Sequence, residues 1–79
     1  MSLDSLNEKL IRAHREDDLA ALVTLYTTAA DVSEKAGDMD AACFYLTHAY
    51  VFALDNGSGQ ADGLYLRLLQ HDRVPVQNN

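Results

Sequence analysis

The 79-residue sequence has one cysteine, one proline, no tryptophan and six basic residues against twelve acidic ones. A single thiol, Cys43, cannot close an internal disulfide, so packing alone must hold the fold. An unpaired cysteine also suits a reducing compartment, which makes the cytoplasm the expected location. The shortage of bases leaves a net charge of −6 with no Lys/Arg cluster. Such a chain repels phosphodiester backbones and anionic lipid, so neither nucleic acid nor a membrane is an expected partner. Long apolar runs are missing too: the most apolar stretch, 41–54, contains Thr47 and His48 and falls short of the roughly 18 residues that span a bilayer. Residues 1–20 carry charges throughout, leaving no apolar signal-peptide core. No Gly-x-Ser-x-Gly, His-Glu-x-x-His or paired-cysteine motif occurs, and no stretch alternates apolar and polar residues as a strand would.

What remains is helical periodicity, punctuated by four glycines and Pro75. A chain this short supports one core, so 1–73 is expected to form a single domain and 74–79 a C-terminal tail. The spacing predicts an all-α fold of four antiparallel helices over about 3–15, 18–36, 39–56 and 59–71. Ser5 and Glu8 have the spacing of a capping box at the first helix start. Leu3, Leu6, Leu10 and His14 share one face of that helix. Asp17 and Asp18 are placed to cap the second, whose stripe is Leu19, Leu22, Val23, Tyr26, Ala29 and Ala30. Gly37 ends it, because glycine tolerates the left-handed conformation. Asp38 caps the third helix, which puts Met39, Ala42, Cys43, Leu46, Ala49, Tyr50, Ala53 and Leu54 on its main face. Gly57 ends that helix, and Ala61, Leu64, Tyr65, Leu68 and Leu69 make the stripe of the last. Short connections force neighbouring helices antiparallel, giving two stacked hairpins or a compact bundle.

Glu16-Asp17-Asp18-Leu19-Ala20-Ala21 resembles Gly37-Asp38-Met39-Asp40-Ala41-Ala42 at an offset of about 20 residues, so successive helices are equated rather than whole hairpins. The second copy extends through Cys43-Phe44-Tyr45-Leu46-Thr47-His48-Ala49 and resembles the turn and second helix of a tetratricopeptide repeat, in which a Gly-Asp turn precedes a helix with small, large and small residues. Ala42, Leu46 and Ala49 take those places. Alanines there permit close helix approach while the leucine fills the gap between them. The resemblance covers roughly 23–54. Ala30 matches in the preceding helix, Ala29 and Ser33 replace the family's large leucine and aromatic, and Leu54 stands where the repeat closes with proline. The resemblance implies that the second helix lines a concave binding face, with Thr24, Thr27, Thr28, Asp31, Glu34 and Lys35 as contacts. Family members that clamp a peptide carboxylate use asparagine and lysine there. Asp31 would repel such a ligand, so a chaperone-tail-binding role is not expected.

Other groups are better explained by packing than by chemistry. His14, with acids following it, has metal-ligand residue types, yet the turn at Glu16–Asp18 breaks the helical spacing and leaves His14 serving a helix terminus. His48 would carry a phosphoryl group in a phosphotransfer bundle, but the downstream lysine and small residue of such domains are missing. Cys43 has no basic neighbour at helical spacing and reads as a buried thiol. Gly57-Ser58-Gly59-Gln60 lacks the strand and Lys-Ser/Thr ending of a phosphate loop. No enzyme, cofactor or metal is therefore expected.

The third helix is apolar on two sides, which calls for more cover than one hairpin partner supplies. Phe44, Tyr45, His48, Val51 and Phe52 are the expected interface, taking a partner protein or a second copy of the chain. The functional expectation is a non-catalytic protein-interaction module; a histidine phosphotransfer bundle or a small-ligand or metal-binding bundle is the alternative.

Overall fold

The computed structural model describes residues 3–71, with side chains from Ser5 onward. Four helices, α1 (Leu3–Arg15), α2 (Leu19–Lys35), α3 (Met39–Asp55) and α4 (Gln60–Gln70), make up the described chain, which contains no strand. The all-α expectation therefore holds, while the tail predicted at 74–79 lies outside the described residues.

One turn is used three times. After α1, α2 and α3 a single residue adopts positive φ, namely Asp17 at 55°, Gly37 at 78° and Gly57 at 65°. In each case the following amide donates back across the helix end: Asp18 N–H to Ala13 O (2.9 Å), Asp38 N–H to Ser33 O (2.9 Å) and Ser58 N–H to Ala53 O (2.8 Å). The left-handed residue donates to the carbonyl three before it, on His14, Glu34 and Leu54 respectively. This is the Schellman arrangement, which satisfies carbonyls that a helix end otherwise leaves open. At the first two turns the residue closing the turn is also the N-cap of the next helix; at the third the N-cap is Gly59, one residue after Ser58. Asp18 Oδ1 accepts from Ala21 N–H and Asp38 Oδ1 from Ala41 N–H, both at 3.1 Å, and Ser58 Oγ accepts from Gln60 N–H at 3.1 Å. The repeat noted between the first two turns thus has a third copy at Asn56-Gly57-Ser58, hidden because serine replaces aspartate and glycine reappears.

Only sequential neighbours pack along their lengths, α1 on α2, α2 on α3 and α3 on α4, and α1 does not meet α4. The result is an open zigzag, not a closed bundle, 36 × 30 × 18 Å. Its thin dimension is about two helices deep. Side chains link alternate helices: His14 of α1 meets Phe52 of α3 at 5.7 Å, and Arg67 of α4 reaches α2. Where α2 packs on α3 the buried core includes the alanines Ala30, Ala49 and Ala53, with Val23, Leu46 and Leu68 in the same cluster, whereas Leu22 and Ala29 of α2 bury with α1. One apolar cluster joins α1 to α2 and another joins α2, α3 and α4; Tyr26, Tyr45 and Phe52 pack against both.

Some sequence expectations are corrected. Helix α1 begins at Leu3, so Ser5 lies inside its first turn and does not form the predicted cap. Leu6 and Leu10 bury against α2, which draws the helix past the capping signal. Met39, Leu54 and Leu69, assigned to buried stripes, are exposed. Each lies at the margin of its stripe and near an end of its helix, where an open array supplies no neighbour.

The three turns generate a paired prediction. Gly37→Ala should destabilise by about 1 kcal/mol, because a Cβ is strained at that φ although it would meet no neighbour. Asp17→Gly should stabilise by roughly 0.5 kcal/mol by relieving the same strain. Urea unfolding of both variants checks the opposite signs.

Candidate functional site

The outer stripe of α2 is the centre of the candidate site. Ala20, Thr24, Asp31 and Lys35 are exposed on it, with Thr27, Thr28 and Glu34 half-buried alongside. Every residue expected from the repeat resemblance, Thr24, Thr27, Thr28, Asp31, Glu34 and Lys35, is therefore at least partly accessible on this helix. The threonine hydroxyls are turned into the helix: Thr24 donates to Ala20 O (3.2 Å), Thr27 to Val23 O (2.7 Å) and Thr28 to Thr24 O (3.0 Å). Donors spent on the helix's own carbonyls leave methyl groups as the outward surface.

Two clefts flank this stripe and meet at Thr24. The first, about 580 Å³, lies between α1 and α2 with Ala13, Ala20, Ala21 and Leu25 as an apolar floor and Lys9 and Arg12 on the α1 wall. Glu16 and Asp18 stand at its turn end, where Asp18 is already committed to its cap. Among the described residues no ion pair engages Lys9 or Arg12. The second cleft, about 380 Å³, runs between α2 and α4 past Thr27, Thr28, Gln60, Gly63 and Arg67. The face is thus a shallow trough with α2 as its floor.

A charged strut crosses one end. Arg67 Nη2 donates to Asp31 Oδ1 and to Glu34 Oε1, both at 2.7 Å, and His71 Nε2 lies 2.7 Å from Glu34 Oε2. Asp31 therefore does not present a free negative charge to a ligand, contrary to the premise on which a carboxylate was excluded. The bond from His71 holds the Glu34 carboxyl below its ordinary value; partial burial opposes this, and Arg67 adds to the lowering. For Arg67 burial works against the charge, and the two carboxylates outweigh it and raise the pKa.

Of the five residues expected as an interface on α3, Phe44 meets both Tyr45 at 5.5 Å and His48 at 4.4 Å, and the five differ in exposure. Tyr45 and Phe52 are half-buried and pack on the core, while Phe44 and Val51 stand 56% and 46% exposed. His48 lies between these groups: its Nδ1–H donates to Phe44 O (2.9 Å) and its ring stacks on Tyr26 at 5.2 Å. Tyr26 also stacks on Phe52 at 5.8 Å, and its hydroxyl lies 2.9 Å from His14 Nε2. Much of the surplus apolar surface of α3 is thus covered from within by α2 and α1. Burial, with a smaller contribution from Tyr45, raises the Tyr26 pKa.

Sequence reasoning missed Lys9 and Arg12, which spacing three apart on α1 could have flagged as one wall. It also missed Arg67, more than 30 residues from the carboxylates it joins, for which no local signal exists. Among the described residues no group of three His, Cys, Asp or Glu side chains is placed to hold a metal ion, and Cys43 is buried. Comparison with protein-family models, curated proteins and solved structures gave no significant match.

Two predictions follow from these contacts. Because the folded Glu34 pKa is depressed from 4.5, its contribution to stability is full above that value and is lost as pH falls through the folded pKa. Glu34→Gln should therefore lower the melting temperature at neutral pH, and the gap from the parent should close in acid. Tyr26→Phe keeps the ring stacking and removes the hydroxyl opposite His14, costing about 0.5–1 kcal/mol by chemical denaturation.

Proposed function

We propose that the chain is a non-catalytic protein-interaction module that takes an extended segment of a partner along the trough formed by α1, α2 and α4. One observation carries this reading: two clefts border Thr24, one on either side of the exposed stripe of α2. Two shallow clefts along one helix suit an extended segment better than a compact metabolite. Their floor of alanine and threonine methyls lets a backbone approach closely, and Lys9 and Arg12 on one wall with Gln60 on the other supply polar anchors. The net charge of −6 keeps polyphosphates away.

The antiparallel zigzag and the buried alanines where α2 packs on α3 support treating the middle hairpin as tetratricopeptide-like. On that reading α2 is the helix that faces the ligand, and the contacts are Thr24, Thr28 and the two cationic side chains of α1.

Selection of random peptides on the immobilised full chain tests the proposal. Binders with dissociation constants of about 1–100 µM are expected. Their NMR shift changes should cluster on Lys9, Arg12, Thr24 and Thr28, and Thr24→Trp should abolish binding while leaving the circular dichroism unchanged. Failure to recover any binder, or binders that perturb only Phe44 and Val51, would count against the trough.

A further inference from the structure

In a stack of helices that pack only on their sequential neighbours, the outward sides of the first and last described helices receive no cover from the stack itself. The two ends of this stack differ. The side of α1 turned away from α2 carries Glu8 and Arg15 beside Ile11, all exposed. The corresponding side of α4 carries Leu66 and Leu69, 59% and 47% exposed, flanked by Asp62 and Gln70. The apolar surface continues onto α3, since Leu69 lies one turn beyond Tyr65, which meets Tyr50 at 5.7 Å, and exposed Leu54 is one turn beyond Tyr50.

A second observation on the same helix concerns Gly63. It is helical, and a Cβ built on it meets nothing within 4 Å. The isolated chain therefore has no steric need for glycine there, yet gives up about 1 kcal/mol of helix propensity relative to alanine. Gly63 falls between the trough and the outward face, next to Asp62 and one turn before Leu66 and Arg67.

We propose that α4 is a self-association surface, pairing antiparallel with α4 of a second copy about a two-fold axis at Leu66. In that register Leu66 packs on its symmetry mate, and Leu69 of each copy enters the slot left by Gly63 of the other. Asp62 faces Gln70, which has an amide to donate, so no like charges are opposed. An isologous contact needs this kind of self-complementarity. The exposed stripe of α3 does not offer it: an antiparallel pair there would set Asp40 against Asp55. The surface lies on the outer edge of the described helices and shares only Gly63 with the trough, so the assignment does not rest on a peptide binding there.

Sedimentation equilibrium of the full chain tests the proposal. A dimer is expected at about 100 µM, weakened about tenfold or more by Leu66→Glu, which buries an unpaired charge at the axis. Gly63→Leu should weaken it comparably by filling the slot, without lowering the melting temperature of the dilute monomer, since glycine is the poorer helix former. Phe44→Glu should leave association unchanged. A monomer at all concentrations, a dimer indifferent to both α4 substitutions, or dissociation by Phe44→Glu alone would overturn the assignment.

Discussion

The fold depends on a left-handed residue placed at the end of each of the first three helices. With φ positive at Asp17, Gly37 and Gly57, the chain reverses within three or four residues and the next amide reaches back to the previous helix. At the first two turns the residue that closes one helix then caps its successor, by a carboxylate at Asp18 and Asp38, while Ser58, one residue before the Gly59 N-cap, accepts from the Gln60 amide. Stop and start signals are therefore fused at the first two turns. Consecutive helices must lie antiparallel and in contact, whatever their side chains prefer.

Given that constraint, side-chain size decides how close each pair comes. Buried alanines contribute to every contact, Ala30, Ala49 and Ala53 within the cluster that joins α2, α3 and α4 and Ala13 and Ala29 toward α1, while leucines and aromatics fill the spaces between them. Tyr26, Tyr45 and Phe52 belong to both apolar clusters and bind what would otherwise be two small cores into one. This joint also explains why α3 is apolar on more than one side. Part of the excess is consumed by rings from the same chain, and Phe44 and Val51 are what remains outside.

Local signals were legible in proportion to how local their physics is. Helix spans and the Asp18 and Asp38 caps were readable because propensity, periodicity and capping act within a few residues. Asp17 reads as a second cap beside Asp18, but Asp18 alone caps α2 and Asp17 is held at positive φ, where aspartate is uncommon. Ser5 misled, because a capping signal yields when Leu6 and Leu10 find a partner to bury against. The accessible residues of α2 could be anticipated from the repeat resemblance, whereas the walls of the trough could not. Arg67 meets Asp31 and Glu34 only because α4 returns alongside α2, and the Tyr26–His14 contact likewise spans two helices. The same distance effect governs Leu54 and Leu69: amphipathic phase places them near a stripe, but only the packing of the helices shows that no helix covers them.

The strut from Arg67 and His71 to α2 has a mechanical meaning. Since α1 and α4 never meet, no ring of contacts fixes the curvature of the zigzag. Across the trough, the end of α4 is tied to the floor by charges only partly shielded from water. Ionic strength and acidity act on such ties far more than on buried hydrocarbon. The width of the cleft between α2 and α4 is thereby set by a spring whose stiffness belongs as much to the solvent as to the protein.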